Sequence, residues 1–248
     1  MATPPALTEQ TPATTWRGRD FALVMIAGLL AGTLIYLGGS AVGWGQEALL
    51  VASAVGQYSG HVLALAVIAG RRGGSASLGF SVSPRDLWYV GLGLSLQVIL
   101  PLLFYPLAAL TGEGEAGQVV TDQIRELGSL GSRLAMALVV AVLAPITEEV
   151  MFRGVLLKAL GGLGRRAAIV LSALIFAGFH LFGLTGDLLR GAVLIVPTFF
   201  VMGVILAAVT WRRGRLGPAI FIHSGFNLLA LVILLMPPDL VDRLIEAQ

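Results

Sequence analysis

The chain of 248 residues has no cysteine and only three histidines, His61, His180 and His223. Without cysteine there can be no disulfide frame, no thiolate metal site and no cysteine nucleophile. Charge is scarce too: 12% of residues are Asp, Glu, Lys or Arg, against about 25% in a soluble domain. So few charges cannot cover the surface of a soluble globule of this size. No HExxH run occurs, which excludes the compact zinc-protease helix. A formal net charge of +2 gives no basis for nucleic-acid binding. Apolar residues, by contrast, are abundant: 56% of the chain is hydrophobic, 32 residues are glycine and the mean hydropathy is +0.88. This is the composition of a polytopic membrane protein, in which glycine lets helices approach closely.

A bilayer core needs about 20 apolar residues per helix. Seven runs qualify, at about 21–44, 48–70, 87–110, 134–157, 167–183, 190–211 and 216–236. The expected fold is all-α, a multi-pass transmembrane helix bundle of about seven spans; an eighth would require splitting one of these runs. Residues 1–20 are polar and rich in Pro, Thr and Ala, and read as a disordered cytoplasmic arm. The apolar run that follows is longer than the roughly 7–15 residues of a signal-peptide core, so it reads as a retained span. Residues 21–236 form the polytopic membrane domain and 237–248 a polar C-terminal tail. The stretch 111–133 carries Glu113, Glu115, Asp122, Arg125 and Glu126 and reads as an outer loop with a short surface helix.

Lys and Arg accumulate in cytoplasmic loops. With the N-terminus cytoplasmic, eleven lie inside: Arg17, Arg19, Arg71, Arg72, Arg85, Lys158, Arg165, Arg166, Arg212, Arg213 and Arg215. Four lie outside: Arg125, Arg133, Arg190 and Arg243. This bias sets the expected orientation, N-terminus in the cytoplasm; with no organelle address visible and a chain rich in Ala, Gly, Leu and Arg, the expected location is a bacterial-type plasma membrane.

A charge within a span costs about 2.5–3.5 kcal/mol on the insertion scale and is functional by default. One cluster stands out, Glu148, Glu149 and Arg153, in the run from Ala144 to Gly154. Glu149 and Arg153 are four apart and share a helix face. Glu148 points about 100° away and is left to face a cavity as a general base. Pro145 and Thr147 mark an expected helix break, with Thr147 capping the restart. A buried ion network is the competing reading for the pair, but it does not account for the second glutamate. His180 follows Phe176 by four in the fifth span, and Asn227 follows His223 by four in the seventh. Gly178 and Gly225 are expected to let neighbouring helices close around these side chains. His61, with Gln57 four residues before it, and Gln97 read as packing or hydrogen-bonding residues.

A glutamate with two histidines can position and deprotonate a water. The same residues can hold Zn²⁺, with His180, His223 and Glu148 as ligands, and the residues leave both branches open. His223 and Asn227 can donate to a developing oxyanion. Helix rise puts the average depth of these residues nearer the inner surface, which suggests a cavity facing the cytoplasm.

Glu148-Glu149-x-x-x-Arg153, Phe176-x-x-x-His180 and His223-x-x-x-Asn227, in that order on separate spans, resemble the three-motif signature of the CPBP intramembrane proteases. That family comprises the CAAX prenyl endopeptidases and the bacterial bacteriocin-processing or immunity (Abi) proteins. The likeness covers about residues 133–230, the expected catalytic core. Leu78-Gly79-Phe80 ahead of Asp86-Leu87 is similar to the loop that precedes that core. The resemblance implies a helical bundle of often eight spans around a conical cavity, cleaving peptide bonds at the membrane. It assigns Glu148 and His180 to the catalytic water, and His223 and Asn227 to the oxyanion. The implied substrate is a peptide or membrane protein, lipidated in the CAAX case. Two rivals are a non-catalytic scaffold or immunity protein of the same fold, and a transporter using the Glu/His cluster as a proton relay; no inverted repeat supports the latter.

Overall fold

The computed structural model describes residues 16–111 and 116–236. The expected C-terminal tail, most of the N-terminal arm, and Glu113 and Glu115 lie outside the described residues. Among the described residues, seven helices are long and apolar enough to cross a membrane, and the chain is a multi-pass helical bundle. The first two are α1 (Gly18–Ala41) and α2 (Gln46–Arg71). A short turn at Pro84–Leu87 leads into α3 (Trp88–Ala109). Then come a strand β1 (Ala116–Gln118) and a surface helix α4 (Val119–Glu126). The long span Leu130–Ala159 is α5. Helix α6 (Arg165–Phe179) ends in a tight turn, His180–Gly183. Strand β2 (Leu184–Gly186), α7 (Leu188–Arg213) and α8 (Gly217–Leu235) follow.

Helix α1 starts inside the segment read as an arm. The Asp20 carboxylate accepts from the Arg17 backbone N–H at 2.8 Å, filling an orphan position of the first turn. Just before it, Trp16 is buried and its indole N–H donates to the Ser77 carbonyl.

Glycines set two of the closest helix contacts. A Cβ on Gly28 of α1 would strike the His61 ring of α2, and one on Gly93 of α3 would strike the Ile222 carbonyl of α8. Gly225 of α8 meets the Val90 backbone in the same way. Gly178 differs from expectation: open space surrounds it, so no helix closes there.

The expected break in α5 is absent. Residues Ala144–Glu149 are continuous α-helix, flanked by π-helical turns at Val139–Leu143 and Val150–Leu156. Pro145 has no N–H to give the carbonyl four residues back, and a wider turn just before it absorbs the mismatch without ending the helix. Thr147 is buried within that helix and caps nothing. The core gathers around Phe152, Phe176, Met202 and Leu206, while leucines such as Leu30, Leu34 and Leu37 of α1 stay exposed on the surface a bilayer would cover.

The two ends of the bundle differ. At the arginine-rich end, the loop 72–83 is strapped across the helices. Lys158 donates to the Ser77 carbonyl at 2.6 Å, and Leu216 and Gly217 backbone N–H groups donate to Gly79 and Ser81. Arg215 grips both oxygens of buried Asp86, at 2.5 and 2.7 Å; those hydrogen bonds hold the guanidinium above its ordinary pKa. Gly79, at φ +73°, supplies the left-handed turn this loop requires. At the other end, β1 and β2 pair antiparallel, Gly117 opposite Thr185, and Thr185 donates to Asp122 of α4 at 2.8 Å. This ribbon, the one sheet among the described residues, ties the α3–α5 connection to the α6–α7 turn.

Candidate active site

The π-helical turns re-aim the side chains of α5. Glu149 and Arg153 are fully buried, and the guanidinium Nη1 lies 3.1 Å from Glu149 Oε1. Arg153 also donates to the Gly203 carbonyl of α7 at 3.4 Å and lies 4.4 Å above the Phe176 ring, a cation–π contact inside the core. Glu149 has a second partner that helix spacing did not indicate. Its Oε1 lies 2.9 Å from His223 Nδ1 of α8, so one sealed carboxylate joins Arg153 to His223.

Glu148 looks the other way, its side chain 23% exposed, into a cavity of about 530 Å³. His180, His223 and Asn227 line the same cavity. The three motifs, on three helices, thus converge. Glu148 Oε2 is 3.9 Å from His223 Nε2, beyond direct hydrogen bonding. Its Oε1 accepts from the Tyr58 hydroxyl of α2 at 3.2 Å. Asn227 donates to the Val140 carbonyl at 2.9 Å, which occupies one of its two amide N–H bonds and ties α8 to the π turn of α5.

The histidine environments fix their tautomers. A carbonyl oxygen only accepts, so the 2.8 Å contact of His180 Nδ1 with the Phe176 carbonyl places the proton on Nδ1 and leaves Nε2 as an acceptor. The ring is held by stacking on Phe199, centroids 3.7 Å apart. In the same way, the Glu149 carboxylate requires a proton on His223 Nδ1.

The zinc branch fares less well. Among the described residues, no three His, Asp or Glu side chains form a group that could hold a metal ion. His180, His223 and Glu148 share the cavity without converging on one point, and His223 Nδ1 is taken by Glu149.

Tyr58 is the site residue that the motifs missed. It sits one position from Gln57, which also lines the cavity, and its ring meets His61 edge-on at 5.9 Å. Tyr58 and His61 are three apart on one face of α2; that pairing of polar-tipped aromatics within a span is the signal that was available. His61 itself fills the space opposite Gly28.

The lining of the cavity gives it a direction along the bundle. Its lining includes Gln118, Val119 and Gln123 on β1 and α4, Phe182 and Gly183 after α6, and Leu234 at the end of α8. All lie at the end remote from the arginine-rich loops. The cavity that holds the catalytic candidates thus extends toward that end of the bundle.

Residues 130–229 match the family model of the Rce1-like type II CAAX prenyl endopeptidases. The Rce1-like segment runs from the start of α5 nearly to the end of α8 and contains all three motifs. It supports an intramembrane protease, acting on a peptide at a membrane, as the kind of protein. Tyr58, the strapped loop 72–83 and β1 lie outside it. No curated protein and no solved structure matches the chain.

Proposed function

We propose that this protein is an intramembrane endopeptidase that hydrolyses a peptide bond by water attack. The observation that carries the reading is the convergence of Glu148, His180, His223 and Asn227 on one cavity, with Glu149 and Arg153 sealed behind them. Glu148 is the general base. A water between its carboxylate and His180 Nε2 can donate one hydrogen to each, leaving an oxygen lone pair for the scissile carbonyl. Glu148 takes the proton as the C–O bond forms and returns it to the leaving amine. Asn227 retains one amide N–H for the oxyanion. His223 can donate there through Nε2 when the ring carries both protons, a charge matched by the carboxylates on either side of it. Tyr58 holds Glu148 in position, and Glu149 does the same for His223, as the buried carboxylate does in a Ser-His-Asp triad.

The test is cleavage of a quenched peptide library by purified protein, with Glu148→Gln as the control. Activity in the wild type and its loss in a folded Glu148→Gln support the reading. Unchanged cleavage in Glu148→Gln removes it. A folded wild type that cuts nothing, and whose absence leaves no cellular polypeptide uncut, points to a scaffold of the same fold.

A further inference from the structure

The Glu148 cavity extends to one end of the bundle, the open end, and takes no lining residue from the loops of the other, the closed end; charge marks the two ends differently. At the closed end, the described residues include eleven Lys and Arg against Asp20 and Asp86. At the open end they include Arg125, Arg133 and Arg190 against Glu47, Asp122, Glu126 and Asp187. Short loops rich in Lys and Arg stay in the cytoplasm during insertion, because moving them across the membrane is unfavourable. The closed end is therefore the cytoplasmic one. Its closure does not depend on one contact: Trp16, Lys158, Leu216 and Gly217 all hold the loop 72–83, and the Asp86–Arg215 pair anchors the turn that follows it.

We infer that the cavity takes its peptide from the non-cytoplasmic side, so that the substrate is an extended, exoplasmic segment of an exported or membrane-anchored polypeptide. This rests on the protease reading above and specifies its substrate class. A lipidated tail on a cytoplasmic protein would arrive at the strapped end, whose loops contribute no residue to the Glu148 cavity. The open end is suited to an extended chain. Its rim presents the polar side chains of Gln118 and Gln123 beside apolar Val119 and Phe182. The β1–β2 ribbon and the Thr185–Asp122 hydrogen bond hold that rim against the turn that carries His180. A chain entering there meets backbone and amide groups first and the Glu148 carboxylate at the bottom.

The absence of cysteine makes the test direct. Arg125→Cys, on the exposed face of α4, and Gly162→Cys, in the exposed loop between α5 and α6, are each treated with a membrane-impermeant maleimide in intact cells. The expected result is that Arg125→Cys labels at once and Gly162→Cys only after permeabilisation; the reverse pattern overturns the inference. A second arm uses proteoliposomes whose orientation is scored by the same labelling, with a quenched peptide either outside or encapsulated. Cleavage only of peptide on the Arg125 side supports the inference. Cleavage only of peptide on the Gly162 side overturns it while leaving the protease reading intact. No cleavage from either side, with labelling as expected, removes the protease reading and the substrate assignment together.

Discussion

His223 Nδ1 and Glu149 Oε1 lie 2.9 Å apart, and that same oxygen faces Arg153 at 3.1 Å. A pair that would otherwise only neutralise charge thereby also sets the tautomer of a histidine facing the cavity. Glu149→Gln is expected to do two separable things. It strands Arg153 without a counter-ion, at a cost of about 3–5 kcal/mol, and it frees the His223 ring, lowering kcat by about 10²–10⁴-fold. The double variant Glu149→Gln/Arg153→Met removes the stranded charge. It should recover much of the melting temperature in detergent but little of the activity. Full recovery of activity would reduce Glu149 to a counter-ion.

Glu148 and His180 are expected to act on one water. Glu148→Gln, His180→Ala and the double variant should therefore fall to a similar floor rather than multiply. Asn227→Ala, which removes one oxyanion donor, should lower kcat by about 10²–10³-fold. Peptide-cleavage kinetics on the four proteins measure this; strictly multiplicative losses would separate the two residues.

Tyr58 donates to Glu148 across about ninety residues of sequence. Hydrogen bonds to charged groups contribute about 1.5–3 kcal/mol, so Tyr58→Phe should lower kcat by about 10–100-fold. KM and melting temperature should be nearly unchanged, because the ring keeps its packing. A rise in KM with constant kcat would make Tyr58 a substrate-binding residue instead.

The glycine contacts give a stability comparison. Gly93→Ala drives a methyl group into the Ile222 carbonyl and should cost about 1–3 kcal/mol as α3 and α8 are pushed apart. Gly178→Ala meets open space and should be neutral or slightly stabilising through helix propensity. Thermal unfolding of both variants in one detergent is the measurement. Equal loss in the two would mean that the α3–α8 contact does not limit stability.

Much of the architecture is legible in the sequence. Seven apolar runs, each about as long as a bilayer is thick, become seven helices because hydrocarbon leaves the backbone no other way to satisfy its own polar groups. The spacing of Glu149 and Arg153 gave their contact, since four residues in a helix return to the same face. The three motifs named Glu148, His180, His223 and Asn227 because polar side chains are conspicuous in apolar spans. Local chemistry did not reveal what lies between helices. The Pro145 region reads as a break but is a continuous helix, since tertiary packing favours widened turns over two exposed helix ends. The partnership of Glu149 with His223, and of Tyr58 with Glu148, joins residues 74 and 90 positions apart, and no helical period encodes such distances. The open end of the cavity depends on how β1 meets β2 and how the loop 72–83 lies across three helices. Depth along each helix follows from counting residues; access to that depth follows only from which loops fold over it.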